Sequence, residues 1–439
     1  MFFKTYLSSI RRLKNDKGFI KYFTNTSWLL FEKGFKVVNI LLIGVLLARY
    51  LGPAQYGILS YSLAYVFLFS ALAKLGLDSI VVKALVKHES ERDSILGTSF
   101  VLKFFSSILS IVILLCTSSL LHDNEEKKLI LILSLALLFL SFSVVDFFFQ
   151  SKVLSRLSVY ASIFSITLSI ILKLLLIIYK ASLISFAFAF LFEAILLSIG
   201  YLGFYMIHGL SFKNWQFNRD WALKLLKDSY PLMLAGIFIV IYMKIDQIMI
   251  KSILDSSEVG KYAAAVTLSE GWYFFPMIIV TSLFPAIINA KESNKGLYYT
   301  RLSSLYRFMF WLALIIAIPI TLFADWIINT CYGVNYLEAA QILKIHIWAG
   351  IFVFLGVSSS RWLIVEDLQI FSIINTAIGA VLNIILNYIL IHKYGIVGAA
   401  WATLVSYFFS GYFSYLFFKR TRPNFVFVNK SIFLFKKHE

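Results

Sequence analysis

Long runs of apolar residues, separated by short polar segments, follow one another along most of the chain. A membrane-spanning helix takes roughly 20 apolar residues, and about twelve runs reach that length. Helices are predicted because the bilayer offers no partners for backbone polar groups, and the runs lack the two-residue alternation of barrel strands. The pattern predicts an all-α polytopic membrane protein with spans near 28–50, 57–77, 95–120, 129–149, 157–179, 182–206, 230–250, 262–288, 307–329, 336–362, 370–391 and 396–418.

Composition excludes most other classes of protein. Of the 439 residues, 60% are hydrophobic and 14% are charged, and the mean hydropathy is +0.83. Soluble globular proteins have about 45–50% apolar and about 25% charged residues. A soluble, disordered, collagenous or disulfide-stapled protein is therefore excluded. Twelve spans would occupy about 240 residues, which leaves no room for a soluble catalytic domain.

The net charge of +17 is explained by the loops. Cytoplasmic loops of membrane proteins collect Lys and Arg. With both termini inside, the inside segments hold about 26 basic residues and the outside segments about 7. This bias predicts cytoplasmic termini and an even number of spans. No nucleic-acid-binding module is visible, so nucleic acid is not an expected partner. Cys116 and Cys331 form neither a disulfide framework nor a metal motif, and each is interpreted as a small apolar residue.

The longest inside loop divides the spans six and six. The sequence predicts a cytoplasmic basic N-terminal segment at 1–27, a six-helix lobe at 28–206, a cytoplasmic linker at 207–229, a second six-helix lobe at 230–418 and a cytoplasmic basic tail at 419–439. Leu51 and Gly57 follow the first span, and Leu254 and Gly260 follow the seventh with the same spacing. Duplicated halves are typical of transporters, whose site lies between the halves.

Enzyme motifs are missing from the sequence. There is no glycine-rich phosphate loop and no His-Glu-x-x-His pair, and only His346 of the six histidines lies well inside a predicted span. Hydrolysis of ATP, a cofactor and a metal site are therefore not expected. Energy for any transport would come from an ion gradient, the membrane potential or the substrate gradient.

Charged side chains inside the predicted spans are the candidates for function. A charge at the bilayer centre costs roughly 2.5–3.5 kcal/mol on insertion scales, so such residues usually face an interior or a wet cavity. Those within the predicted spans include Glu32, Lys33, Lys36, Lys74, Lys103, Asp146, Lys173, Glu193, Lys244, Asp246, Glu270 and Lys344. Lys74, Asp78, Asp146 and Lys173 lie near span ends, where lysine reaches the interface, and Lys74 is spaced to pair with Asp78.

Span one has a polar stripe. On a helix, Trp28, Glu32, Lys36 and Asn39 fall within about 80° of one another, and Lys33 lies about 60° beyond Lys36. The stripe predicts a helix that lines a wet space. The alternative is that Glu32 and Lys36 form a local ion pair, in which case Lys33 still has no partner on this helix.

Spans seven and eight carry the second set of candidates. Lys244 and Gln247 lie on one side of span seven, and Asp246 lies on another. Asp246, Glu270 and Glu32 have two possible roles. Each could bind a coupling ion, H⁺ or Na⁺, or each could be a counter-charge for a lysine. Pro276 is expected to kink span eight near a gate, although simple packing tolerance is the alternative.

Seven short segments stand out together along the chain: 48–57 (ARYLGPAQYG), 75–78 (LGLD), 244–250 (KIDQIMI), 259–265 (VGKYAAA), 332–333 (YG), 336–340 (YLEAA) and 395–402 (GIVGAAWA). Together and in this order they resemble one family, the Wzx-type polysaccharide flippases of the multidrug/oligosaccharidyl-lipid/polysaccharide exporter (MOP) superfamily. The resemblance implies two six-helix lobes around a central cationic cavity. It also implies alternating access that moves undecaprenyl-diphosphate-linked oligosaccharides of an O-antigen or capsule outward across the bacterial inner membrane. A polysaccharide polymerase and a chain-length regulator are the protein partners that this reading suggests.

The charges suit such a substrate. Lys33, Lys36, Lys103 and Lys244 could replace the hydration of a diphosphate, with Asn39 and Gln247 as further polar contacts. Two negative charges moving outward gain about 4.6 kcal/mol per 100 mV.

The sequence leaves other functions open. A multidrug cation antiporter of the same superfamily should have an acidic lumen, which the lysines argue against. A glycan polymerase or ligase should have a large outer loop, and a channel or scaffold is not excluded by the sequence.

Overall fold

The computed structural model describes residues 17–119 and 123–433, and all regular structure in these ranges is helical. The first sixteen residues of the predicted N-terminal segment and the last six of the predicted basic tail lie outside the described ranges. The α-helices are α1 (Lys17–Lys74), α2 (Asp78–Lys87), α3 (Arg92–Ser118), α4 (Asn124–Ser134), α5 (Ala136–Phe139), α6 (Val144–Ser151), α7 (Ser155–Ile178), α8 (Leu183–Ile207), α9 (Arg219–Ile253), α10 (Ser256–Glu270), α11 (Phe274–Ser293), α12 (Lys295–Leu322), α13 (Ala324–Tyr332), α14 (Ala339–His346), α15 (Ala349–Val365), α16 (Ile370–Gly411) and α17 (Arg422–Phe433). Short 3-10 helices occupy Glu89–Glu91, Leu140–Ser143, Phe212–Asn214, Val334–Tyr336 and Phe413–Leu416.

Within the described ranges, ten helical segments are long and apolar enough to cross a membrane. The prediction of an all-α polytopic fold is thereby confirmed. The count is ten rather than twelve because Thr24–Lys87 contains the first two predicted spans and Ile370–Leu416 contains the last two. The first of these has 64 residues. At 1.5 Å per residue that is about 96 Å of helix, against a hydrocarbon core of about 30 Å.

Glycine breaks both of these long segments where the sequence predicts a loop. Gly52 has φ 72° and ψ 171°, and Gly395 has φ 58° and ψ −143°. A side chain would make these left-handed conformations costly, and glycine adopts them readily. Gly52 also precedes Pro53, whose ring disfavours helical geometry at the residue before it. The two breaks therefore separate the predicted spans inside each continuous segment.

The helices form two compact units. In the described ranges, the first unit holds residues 17–39 and 69–234, and the second holds 40–68 and 235–433. The divisions fall inside α1 and α9. The six-helix lobes at 28–206 and 230–418 stay a prediction.

Each unit has its own apolar core. In the first unit, buried side chains such as Leu77, Ile95 and Phe149 pack together. In the second, Tyr306, Phe354 and Leu363 belong to a similar cluster, whose other members include Val280, Ile287, Leu302, Met309, Leu355 and Ile432. The predicted linker at 207–229 lies within the first unit, and Trp215, Trp221 and Leu225 of this stretch contact its apolar core.

The contacts of this loop are specific. Gln216 N donates to Asp93 O (3.3 Å), and Asn218 N donates to Thr98 Oγ1 (2.9 Å). A Cβ on Gly97 would lie 2.5 Å from Gln216 N. The glycine therefore lets the loop backbone approach α3 closely.

The two segments of the internal repeat lie against each other in the second unit. A Cβ on Gly57 would overlap the carbonyl oxygen of Ser256, and a Cβ on Gly260 would overlap that of Pro53. The shared glycine spacing of the two halves thus serves one close helix contact, in which each glycine faces the backbone of the other segment.

Candidate functional site

The polar stripe of span one contains an ion pair. Lys36 Nζ lies 2.6 Å from Glu32 Oε1, one turn away on α1. The Lys36 side chain is 45% exposed and that of Glu32 is 13% exposed. Asp146 of α6 lies within electrostatic reach of both groups and accepts a hydrogen bond from Gln150 Nε2 (2.8 Å). Asp146 therefore belongs with the stripe, which its position near a span end did not indicate.

Two members of the stripe retain unused polar groups. Lys33 is exposed and has no ion-pair partner among the described residues. Asn39 Oδ1 is buried and accepts no hydrogen bond within the described part of the chain. Glu32 and Lys36 neutralise each other, which is the alternative interpretation of the stripe. Lys33 is left as the exposed group of the stripe that a ligand could engage, and Asn39 Oδ1 is a buried acceptor without a partner among the described residues.

Lys103 is enclosed in the first unit. It is 1% exposed, and its Nζ donates to Ser143 Oγ (2.6 Å) and lies 4.6 Å from the centre of the Phe147 ring. Asp78 Oδ1 is 3.7 Å from the same ammonium. The predicted Lys74–Asp78 pair is wrong, because Asp78 faces a lysine on another helix. No surface of Lys103 is open to a diphosphate in this conformation.

The prediction that the Lys173 side chain extends to the membrane interface is also wrong, because the side chain is buried. Its Nζ lies 3.0 Å from Glu193 Oε2 and 3.8 Å from the centre of the Phe190 ring. Ser169 Oγ donates to the same carboxylate at 2.6 Å. The lysine is satisfied inside because α8 supplies an acidic partner, which the position of Lys173 within its own span could not indicate.

The second unit holds the candidates of spans seven and eight. Lys244 Nζ lies 3.5 Å from Glu270 Oε2, which joins α9 to α10. Asp246 is buried, and its carboxylate accepts hydrogen bonds from Tyr262 Oη (2.5 Å) and Gln247 N (2.8 Å). Gln247 is itself buried. This geometry favours a counter-charge role for Glu270, and it gives Asp246 neutral hydrogen-bond donors instead of a cation.

Sequence reasoning missed the polar and aromatic groups around Asp246. Tyr262 Oη lies 3.2 Å from Thr403 Oγ1, and both side chains are buried. His346 Nδ1 and Ser269 Oγ are 2.9 Å apart. These groups come from α10, α14 and α16. No spacing along the chain links them, so only the folded structure places them together.

Pro276 lies where the eighth span is interrupted. α10 ends at Glu270 and α11 begins at Phe274, so Pro276 is in the first turn of a new helix. Proline lacks an N–H group, and the first turn of a helix needs none there. The interruption lies just before the predicted kink site, and a gating role for Pro276 stays a prediction.

Four of the family motifs meet in the second unit. Tyr336 Oη donates to Ala48 O (2.8 Å), and Tyr332 Oη donates to Ala264 O (3.1 Å). Lys261 Nζ bridges two carboxylates, at 2.8 Å from Glu258 Oε1 and 2.6 Å from a glutamate of the 336–340 motif. Burial raises the pKa of both tyrosines, so their hydroxyls stay protonated donors. Segments 48–57, 259–265, 332–333 and 336–340 thus form one packed assembly.

Comparison with known proteins assigns a family to this architecture. The family model described as "Polysaccharide biosynthesis protein" matches residues 23–291. A curated protein described as probable low-salt glycan biosynthesis flippase Agl15, from Haloferax volcanii, is 28% identical over 170 residues, which is 38% of this chain and 35% of that protein. The chain therefore spans about a third of the length of this relative. These matches confirm the resemblance carried by the motifs.

Solved structures share the fold over nearly the whole chain. The lipid II flippase MurJ in an inward closed conformation matches with a TM-score of 0.69 and 20% identity, over 94% of this chain and 90% of that one. An inward-facing multidrug resistance MATE family transporter of the MOP superfamily matches with a TM-score of 0.67 and 14% identity, over 92% and 96%. A MOP superfamily transporter from Pyrococcus furiosus matches with a TM-score of 0.65 and 13% identity, over 92% and 95%. At these identities the matches show the fold alone.

Proposed function

The chain belongs to the polysaccharide biosynthesis protein family, and we propose that it is a flippase for lipid-linked oligosaccharides. In full, the proposal is transport of an undecaprenyl-diphosphate-linked O-antigen or capsule repeat unit from the cytoplasmic to the outer leaflet of the bacterial inner membrane by alternating access. The observation that carries it is the exposed Lys33 beside the Glu32–Lys36 pair, on a membrane helix of a chain with the MOP transporter fold.

The chemistry of the head group explains why a lysine is needed. A diphosphate loses its hydration when it enters a protein cavity, and only cationic or hydrogen-bonding groups offset that loss. Lys33 has no acidic partner among the described residues, so its ammonium is available. Lys36 already neutralises Glu32. We therefore assign the direct phosphate contact to Lys33, with Lys36 adding field strength and Asn39 a further polar contact.

Lys103 and Lys244 have a different place in the proposal. Each is held by partners inside its own unit, so a direct contact with substrate would require these partners to separate. Glu270 is proposed as the counter-charge of Lys244. Asp246 is proposed as the coupling-ion residue, because a buried carboxylate without a cationic partner at bonding distance among the described residues can take up H⁺ or Na⁺.

Two rival functions receive less support. The likeness to multidrug transporters lies at 14% identity and concerns the fold alone. A polymerase or ligase needs a large outer loop, and the segments between the long apolar helices are short. A polymerase and a chain-length regulator are proposed as partners, since both would act on the translocated product.

Complementation tests the lysine assignment. In a strain that lacks its own flippase, Lys33→Ala should reduce surface glycan while the amount of protein in the membrane stays near normal. Lys83→Ala is the matched control, because Lys83 is also exposed and has no ion pair among the described residues. Full glycan display by Lys33→Ala and by the double variant with Lys36→Ala, at low expression, would overturn the assignment.

The proposed orientation has its own test. Single cysteines placed at Lys127 and Lys295 are expected to react with membrane-impermeant reagent from opposite sides, outside and inside respectively. Labelling of both from one side would overturn the twelve-span topology with cytoplasmic termini.

A further inference from the structure

The last helix of the described chain is anchored firmly to the second unit. Asn424 of α17 accepts a hydrogen bond from Tyr306 Oη (2.8 Å) and donates to Ser359 Oγ (3.1 Å). Val428 and Ile432 on the same helix are buried in the core of the unit. The helix is therefore an integral part of this unit, although the sequence indicated only a basic tail.

The opposite face of α17 borders a cavity. Arg422, Val426 and Lys430 are one turn apart on the helix, and all three are exposed. Together with the start of α12, this face lines an open cavity of about 670 Å³. That volume is in the range that binds small ligands. Its lining residues are Gly296, Tyr299, Lys419, Arg422, Pro423, Val426, Phe427 and Lys430.

The lining combines positive charge with apolar surface. Three of its residues are basic and none is acidic. Lys419, Arg422 and Lys430 have no ion-pair partner in the described part of the chain, and residues 419–438 contain no Asp or Glu. Pro423 and Val426 supply an apolar wall, and the rings of Tyr299 and Phe427 lie 5.6 Å apart. A charged recess beside apolar surface matches a molecule that has an anionic head and hydrocarbon chains.

Three other lysines near helix ends are each neutralised by carboxylates. Lys152 pairs with Glu89, and Lys291 pairs with Glu366. Lys261 pairs with two glutamates. The cavity at α17 differs from these sites, since it gathers three cations with no neutralising carboxylate among the described residues.

We propose that the cavity between α17 and the start of α12 binds the phosphate head group of an anionic phospholipid. The proposal rests on the orientation proposed above, which puts α17 at the cytoplasmic surface, where anionic lipids attract basic clusters. Lys419, Arg422 and Lys430 would hold the phosphate, and Val426 and Phe427 would contact the start of the acyl chains. The site is separate from the proposed substrate contact at Lys33, and a lipid here would fasten α17 to the membrane surface.

Native mass spectrometry of the full chain tests the proposal with phosphatidylglycerol and phosphatidylcholine as probes. The triple variant Lys419→Gln/Arg422→Gln/Lys430→Gln should bind phosphatidylglycerol about 10- to 100-fold more weakly, with phosphatidylcholine binding unchanged. The control variant Lys83→Gln/Lys87→Gln/Lys227→Gln removes the same charge from exposed sites outside the cavity and should change binding less than about twofold. Arg422→Lys keeps the charge and should retain binding, which separates loss of charge from loss of folding.

Three results would overturn the proposal. Equal loss in the cavity and control variants would mean that net charge, and not this site, attracts the lipid. Wild-type binding by the cavity variant would mean that the site is elsewhere. Displacement of phosphatidylglycerol by excess inorganic phosphate would mean that the cavity recognises free phosphate rather than a lipid head group. The lipid site depends on the orientation of the chain and not on its flipping activity. A failure of the lipid proposal would therefore leave the proposed flippase function unaffected.

Discussion

Substitutions at Lys103 distinguish most clearly between a role in packing and a role in binding the substrate. It is among the largest fully buried side chains, its ammonium donates to Ser143, and its companion Asp78 is 60% exposed. Lys103→Ala would empty the space of the long side chain and remove a charged hydrogen bond, at a cost of about 2–4 kcal/mol. The loss of the Asp78 pair adds little, because water screens an exposed carboxylate.

Lys103→Met is the informative partner of this variant. Methionine refills most of the volume and removes the desolvation cost of the buried ammonium. We therefore expect Lys103→Met to cost less than about 1 kcal/mol and to keep glycan export, whereas Lys103→Ala lowers the amount of folded protein. Lys33→Ala, at an exposed position, should leave stability unchanged and impair export.

The assay pairs thermal stability of the detergent-solubilised chain with surface glycan at matched expression. A Lys103→Met protein that is as stable as wild type but exports no glycan would refute the packing role. That result would restore Lys103 as a substrate contact in another conformation.

Three further changes test the described contacts. Gly57→Ala should destabilise the chain by about 1–3 kcal/mol because its methyl group overlaps a backbone carbonyl, while Gly203→Ala, with open space around it, should be neutral or stabilising; equal thermal stability of the two would contradict the close contact. Tyr262→Phe removes the 2.5 Å hydrogen bond to Asp246 and should cost about 1.5–3 kcal/mol, and thermal stability equal to wild type would show that the bond is not made. Tyr336→Phe should cost about 1 kcal/mol at pH 6 and pH 9 alike, because burial raises the pKa of this phenol and the stability it contributes is lost only as pH rises above the ordinary value of about 10; thermal stability equal to wild type at both pH values would show that the hydrogen bond to Ala48 is not made.

The fold follows from the apolar runs to a large extent. The ten long helices in the described ranges cover the predicted spans, because the need to satisfy backbone polar groups leaves helices as the only choice for such runs. The apolar runs do not predict how the helices divide between the two compact units. Residues 40–68 belong to the second unit although they lie early in the chain, since the glycine contact between segments 51–57 and 254–260 is made only after folding.

The candidate site could be predicted only where its members share one helix. Glu32 and Lys36 are four residues apart, so helix geometry alone anticipated their pair. The partners of Lys103 and Asp246 come from other helices, and no periodicity along one helix identifies them. The same reason applies to Lys173, whose partner Glu193 lies on α8, and to Asp146 of α6, which interacts with charged groups of α1.

Direct measurement of flipping tests whether the protein moves lipid-linked oligosaccharides. Proteoliposomes would contain the chain and a fluorescent undecaprenyl-diphosphate-linked oligosaccharide, and the measured quantity would be the fraction of label that an impermeant quencher reaches. We predict protein-dependent movement of the glycan between leaflets, strongly reduced in the Lys33→Ala/Lys36→Ala variant and unchanged in Lys83→Ala. Movement no faster than in protein-free vesicles, with a correctly folded chain, would contradict the proposal that this protein is a lipid-linked oligosaccharide flippase.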